Sequence, residues 1–154
     1  MTILLDIDGV LVTTPSWKVV EQLPDGFLKF NETAARNLAR IIEATNASIV
    51  LTTTHRINYS VDKWKELFEV RGIHTKSIEK VNEVTSIGGI SRRAIEIKEW
   101  VDKKGGNERF VVIDDDLSIN DLSVEIRKKC VLTKPLIGLD DAGAEETLKI
   151  LLEQ

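Results

Sequence analysis

The sequence holds one cysteine, Cys130, among 154 residues. A lone thiol cannot close an internal disulfide, and no cluster of cysteine and histidine offers zinc-ligand spacing, so a reducing compartment is the expected setting. No uncharged apolar run approaches the roughly 18–20 residues that span a bilayer. The opening MTILLDIDG places Asp6 and Asp8 inside what would have to be the apolar core of a signal segment. A cytoplasmic protein with no membrane contact is the expectation. Positive charge is also short: 21 Lys and Arg stand against 25 Asp and Glu, a net charge of −4. No overall basic field draws in nucleic acid, which leaves only a local basic patch for that purpose. Internal repeats and low-complexity linkers are missing too, and one continuous domain over residues 1–154 is expected.

What is present is a globular composition, 42% hydrophobic and 30% charged, and an alternation of two periodicities. Residues 2–7, TILLDI, form a short buried-strand pattern that ends in the acidic turn Asp6-Ile7-Asp8-Gly9. The stretch 10–30 reads as a flap-like hairpin, with Pro15 and the Pro24-Asp25-Gly26 turn breaking any helix. Asn31 is the expected N-cap of a helix over 32–45, where Leu38, Ile41 and Ile42 recur at helical spacing. Residues 47–51 are a second strand, ending in Thr52-Thr53-Thr54. Ser60 caps a helix over 61–71, with Trp64, Leu67 and Phe68 on one face and Gly72 as its stop. The stretch 76–90 reads as a short strand plus a loop. Ser91 is the expected cap of a helix over 92–104, and Gly105-Gly106 its end. Residues 109–113 form a third strand, followed by Asp114-Asp115-Asp116. A short strand at 130–133 and a helix near 141–153 complete the pattern. Strands alternating with helices give an α/β fold, a Rossmann-like three-layer sandwich with a mostly parallel sheet.

Three of these strands end in polar groups: Asp6 and Asp8, Thr52 and its neighbours, Asp114 and Asp115. In an open parallel sheet the C-terminal strand tips share one edge, and ligands bind in the crevice outside it. Several carboxylates in one crevice repel each other, and a hard divalent cation such as Mg²⁺ offsets that repulsion while suiting an incoming phosphate. Asp6 is then placed to attack phosphorus, since aspartate carboxylates are covalent nucleophiles in aspartyl-phosphate chemistry. Asp8, two residues on, faces the same side of an extended backbone and suits protonation of the leaving oxygen and activation of water. Thr52 suits donation to a non-bridging phosphate oxygen.

With those residues in place, the chain resembles the haloacid-dehalogenase-like (HAD) hydrolase superfamily over nearly its whole length. The first motif, a strand followed by DxD, is matched by LLDIDGVL at 4–11, the second by IVLT at 49–52, and the fourth by VVIDD at 111–115. The resemblance implies a single HAD-like domain and a Mg²⁺-dependent phosphomonoester phosphatase. In it Asp6 is the nucleophile, Asp8 the general acid/base and Thr52 a phosphate ligand. Asp115, with Asp6 and the backbone carbonyl of Asp8, holds the metal, and Asp114 supports it, although either member of the Asp114-Asp115 pair fits direct ligation. A second aspartate two residues after the first is similar to the phosphatase branch.

The third motif ordinarily supplies a lysine at a helix start; here Ser91-Arg92-Arg93 opens the helix. RAIEIKEWV at 93–101 resembles a segment of small capless members, which points to Arg93, with Arg92 and then Lys98 as the other candidates. Thr53 and Arg56, in the turn after the second motif, and Arg92 are candidate substrate-binding groups, and Arg56 reads equally as an exposed turn arginine. Neither inter-motif gap has room for a cap domain, and an open site implies a bulky substrate that itself excludes water, such as a nucleic-acid end or a phosphoprotein. Trp17, Phe27 and Phe30 in the flap are candidates either for stacking on a base or for packing the flap.

Two other readings compete. A receiver-like signalling module also uses acids, Mg²⁺, a threonine and a Lys-Pro pair like Lys134-Pro135, but it orders its acids differently along the chain. A catalytically inactive phosphate-binding module would keep the fold and lose turnover.

Overall fold

The computed structural model describes residues 1–153. Its strands are β1 (Thr2–Leu5), β2 (Ser48–Leu51), β3 (Ile78–Lys80), β4 (Phe110–Asp114) and β5 (Cys130–Leu132), and its α-helices are α1 (Glu32–Thr45), α2 (Val61–Val70), α3 (Arg93–Lys104), α4 (Val124–Arg127) and α5 (Asp141–Leu152). The sheet runs β3-β2-β1-β4-β5, and every pairing is parallel. Leu5 stands opposite both Leu51 and Ile113. One step further along, the Asp6 N–H donates to the Ile113 carbonyl at 3.1 Å and the Thr52 N–H to the Leu5 carbonyl at 3.0 Å. Register alone therefore brings Asp6, Thr52 and Asp114 side by side at one edge.

The period of two along each strand divides the apolar residues between two cores. Ile3, Leu5, Ile49, Leu51, Val111 and Ile113 pack with α1, α2 and α5. Leu4, Val50 and Val112 pack with Ala94, Ile97 and Trp100 of α3 and with Ile126 of α4. Each such aliphatic side chain contributes about 1.5–3 kcal/mol by leaving water. Helices on both faces of a parallel sheet make the α/β three-layer sandwich that the sequence pattern predicts. No described helix is long and apolar enough to cross a membrane.

Local chemistry explains the helix ends. Asn31 Oδ1 accepts from the Ala34 N–H at 3.0 Å, and Ser60 Oγ from the Lys63 N–H at 3.2 Å. Ser91 is not the cap of α3. Arg92 occupies the N-cap position without a side-chain cap bond, and the Ala94 N–H finds Ser118 Oγ at 3.3 Å instead. An acceptor from a distant turn replaces the local one. Sequence periodicity also misses α4 and the 3₁₀ turn Leu117–Asp121, both too short to show a helical repeat.

The segment after β1 is an irregular flap rather than a regular hairpin. Its base is a tight loop in which the N–H groups of Val10, Leu11 and Val12 all point to the Ile7 carbonyl at 2.8–3.1 Å. Its tip carries a single antiparallel bridge, Gln22 to Leu28. Arg71, at the end of α2, fastens that tip: its guanidinium donates to both oxygens of Asp25 (2.7 and 3.1 Å) and to the Leu28 and Leu67 carbonyls. The same guanidinium lies 5.3 and 5.1 Å from the ring centroids of Phe27 and Phe30. Those two rings belong to the core and are not available for stacking on a ligand, whereas Trp17 is 76% exposed.

With the Arg71 side chain only 2% exposed, Arg71→Ala removes the ion pair to Asp25, whose Oδ1 keeps only the Phe27 N–H, and the donor to the Leu28 and Leu67 carbonyls. We expect a loss of about 2–3 kcal/mol in unfolding free energy and faster proteolysis within residues 13–30. Denaturant melts with limited trypsin cleavage measure both, and an unchanged digestion pattern would count against the clasp.

Candidate active site

Two strand ends deliver three carboxyl groups to one place. One oxygen from each of Asp6, Asp114 and Asp115 lies within 4.8 Å of the others. Asp6 and Asp114 are 4% and 0% exposed. Their counter-charge comes from the first residue of α3: Arg93 Nη1 is 3.3 Å from Asp6 Oδ2 and 2.5 Å from Asp114 Oδ2. The other Asp114 oxygen accepts from the Asp116 N–H at 2.9 Å. Both Asp114 oxygens are thus engaged, while the half-buried Asp115 keeps its carboxylate beside Asp6.

One guanidinium faces three acids, and the ionisation of each group follows from that deficit. Burial, only partly countered by Arg93, pushes Asp6 up to about 6. Burial and the charge of Asp6 push Asp114 up to about 7. Asp115 is raised too, mainly by burial. For Arg93 burial works against the charge, but Asp6 and Asp114 outweigh it and hold the guanidinium above its ordinary range. Oxygen-rich, crowded and undercharged with cations, this set fits a hard divalent cation on its donor chemistry.

Thr52 completes the edge. Its side chain is fully buried, and its Oγ1 has no hydrogen-bond partner. A buried hydroxyl left unpaired at a strand tip is a donor with an unfilled role. Thr53 is buried as well, but its Oγ1 accepts from the His55 N–H at 3.2 Å and so caps the following 3₁₀ turn, Thr54–Asn58.

Asp8 projects into the open, with its side chain 60% exposed. His55 Nε2 lies 2.9 Å from Asp8 Oδ2. The hydrogen bond to Asp8 raises the imidazole above its usual pKa and favours its charged form. Phe27 of the flap stands edge-on to the His55 ring at 5.6 Å. Sequence reasoning overlooks His55, whose only signal is its place three residues past Thr52 in the turn beyond a phosphate-binding-like strand end. Gly9, between the acids, is required as glycine: its φ is +78°, and a Cβ there would overlap the Asp115 carboxylate.

Three candidates lie elsewhere. Arg56 is fully buried rather than an exposed turn residue, and its guanidinium is occupied by protein acceptors. The 3₁₀ turn folds it back under the tip of β2, where it donates to the Thr52 and Thr53 carbonyls (3.0 and 3.2 Å), to Asn82 and to Glu96 of α3. Arg92 pairs with Asp121 at 2.7 Å, its side chain 63% exposed, apart from the acid cluster. Lys98 pairs with Asp102 on the exposed face of α3. Of the three basic candidates on that helix, only Arg93 reaches Asp6.

A parallel α/β sheet with DxD after its first strand, a threonine at the tip of the second and paired acids after the fourth defines a HAD-type domain. More narrowly, the chain belongs to the family described as the HAD domain in Swiss Army Knife RNA repair proteins, whose model matches residues 2–144. No curated protein and no solved structure matches the chain.

The acid cluster makes stability depend on pH in an uncommon direction. Asp6 and Asp114, at about 6 and about 7, hold protons in the folded chain that the unfolded chain releases near 3.8. Across that window the folded state binds more protons, so stability falls as pH rises. His55, raised above 6.5, adds to the same slope, whereas the lowered Asp25, Asp116 and Glu108 act below the window. Chelator-treated protein is therefore expected to melt at a higher temperature at pH 5 than at pH 8, and Asp115→Asn should flatten the difference. Calorimetry across this range decides it; a Tm that climbs from pH 5 to pH 8 would contradict the crowding of these acids.

Proposed function

We propose that the chain is a Mg²⁺-dependent phosphomonoester phosphatase that acts on phosphorylated nucleic-acid ends, RNA ends in particular. The observation that carries the reading is the convergence of Asp6, Asp115, Arg93 and the unpartnered Thr52 hydroxyl at one strand edge. The family's description as a domain of RNA repair proteins favours a nucleic-acid end over a phosphoprotein.

In this reading a substrate phosphate sits among Thr52 Oγ1, Arg93 and the acids. An Asp6 oxygen attacks phosphorus, and the bond from phosphorus to the ester oxygen breaks with its electron pair on that oxygen. Asp8 gives the departing oxygen its proton, leaving an acyl phosphate on Asp6. Asp8, now a carboxylate, takes a proton from water as the water oxygen attacks phosphorus. The Asp6–phosphorus bond then breaks, releasing inorganic phosphate and restoring Asp6. His55, in contact with Asp8, orients that carboxyl and shares its proton. Arg93 balances charge at Asp6 and binds a non-bridging oxygen.

Asp6, Asp115 and the Asp8 carbonyl would hold Mg²⁺, with Asp114 fixed behind them by Arg93 and the Asp116 N–H. The ion would neutralise the acids and the incoming phosphate together.

Two substitutions test the assignment. Asp6→Asn is expected to remove Mg²⁺-dependent phosphate release from end-phosphorylated oligoribonucleotides while leaving the far-ultraviolet circular dichroism unchanged. Retained turnover would refute the nucleophile. Thr52→Val removes a buried hydroxyl that has no partner, so stability is expected to hold or rise slightly, whereas kcat/KM is expected to drop about tenfold or more. A Tm loss with normal kinetics would make Thr52 a structural residue only.

A further inference from the structure

A groove of about 430 Å³ is lined by flap residues together with Asp8 and Asp115 beside the acid cluster. Trp17, Pro135 and Leu136 are part of the same lining. Its volume falls in the roughly 300–1,000 Å³ range of small-ligand sites. We propose that this groove seats the base of the terminal nucleotide whose phosphate lies at Asp6, with the base stacked on Trp17. The proposal deepens the phosphatase reading and rests on it for the position of the phosphate.

The ring itself is the first argument. Trp64 and Trp100 are 0% and 5% exposed, and Phe27 and Phe30 are 5% each, whereas Trp17 is 76% exposed. It makes no ring contact with any described residue. Leu136, which also lines the groove, is 59% exposed. A planar π-face paired with an apolar wall, continuous with a phosphate-handling edge, matches a nucleotide: every base has a face to stack, so the contact tolerates any sequence. A phosphopeptide has no obligatory planar group beside its phosphate.

Charge is the second argument. Lys18 and Lys134 neighbour Trp17 and Pro135 in sequence, both are exposed, and neither has an ion-pair partner among the described residues. They supply the cations that a phosphodiester backbone leaving the groove needs, in a chain whose net charge is −4.

Rigidity is the third. The Ile137 and Gly138 N–H groups close the turn onto the Lys134 carbonyl at 2.9 and 2.8 Å, and the Leu139 N–H donates to the Val10 carbonyl at 2.9 Å. Gly138, with φ +74°, sits where a Cβ would strike the Val10 carbonyl. The wall carrying Pro135 and Leu136 is thereby pinned to the loop that follows the DxD aspartates, which fixes its distance from Asp6.

The test uses short oligoribonucleotides phosphorylated at either end, made with a normal base or an abasic sugar at the phosphorylated position. The wild-type protein is expected to favour the base-bearing oligonucleotide about tenfold in kcat/KM, and Trp17→Ala to bring that ratio close to one. In Asp6→Asn protein, the base-bearing oligonucleotide should quench tryptophan fluorescence and the abasic one should not; Trp17→Phe should remove the quenching. Equal turnover of both oligonucleotides, a preference that survives Trp17→Ala, or faster turnover of a phosphopeptide would each overturn the groove assignment. Quenching without hydrolysis of any substrate would overturn the phosphatase reading and support the groove.

Discussion

Three carboxyl groups held against one guanidinium are the constraint around which the rest of the chain is arranged. Parallel pairing of β1 with β4 makes the crowding unavoidable, because the register that aligns Leu5 with Ile113 also aligns Asp6 with Asp114. Gly9 then lets the loop after β1 pass close to Asp115. Arg93 is the only side chain that makes ion pairs inside the cluster among the described residues, so α3 must begin where it does. Leaving buried acids short of positive charge is costly to an isolated fold. It is also what makes the edge fit a hard divalent cation.

A second buried pair keeps the first in place. Arg56 and Glu96 meet at 2.5 Å with side chains 0% and 1% exposed. Glu96 stands one helical turn after Arg93 on α3, and Arg56 grips the carbonyls of Thr52 and Thr53. Asn82 bonds both partners. The strut therefore joins the helix that delivers the guanidinium to the strand tip that delivers the threonine. The charges are matched one to one, so this pair adds nothing to the deficit in front of it. Arg56 Nε and Glu96 Oε1 still have no partner, and a well-packed apolar pair could be as stable. What such a pair lacks is the directional grip on the Thr52 and Thr53 carbonyls.

Much of this was legible in residue order. Asn31 and Ser60 mark helix starts because cap chemistry is local, and the strand tips follow from short apolar runs that end in acids or threonine. Once the sheet is parallel, those tips must converge. The signals that fail are the non-local ones. Nothing in the neighbourhood of Arg56 announces burial, since its counter-charge lies forty residues away on α3. The start of α3 is misplaced by one residue because its N–H acceptor, Ser118, comes from a later turn. His55 is invisible until the turn after β2 folds toward Asp8, and Arg71 until the flap closes over it.

The flap is tied down at its two ends. Its base is stitched by Asn31 to the Leu11 carbonyl and to Thr13, and its tip is held by a guanidinium gripping a carboxylate and a carbonyl. Enzymes with hinged lids often wait on an opening step before products depart. A palisade fixed in this way imposes no such delay. Under the phosphatase reading proposed above, turnover would be paced by bond breaking or by the escape of phosphate rather than by a lid, and discrimination among substrates would fall to first docking.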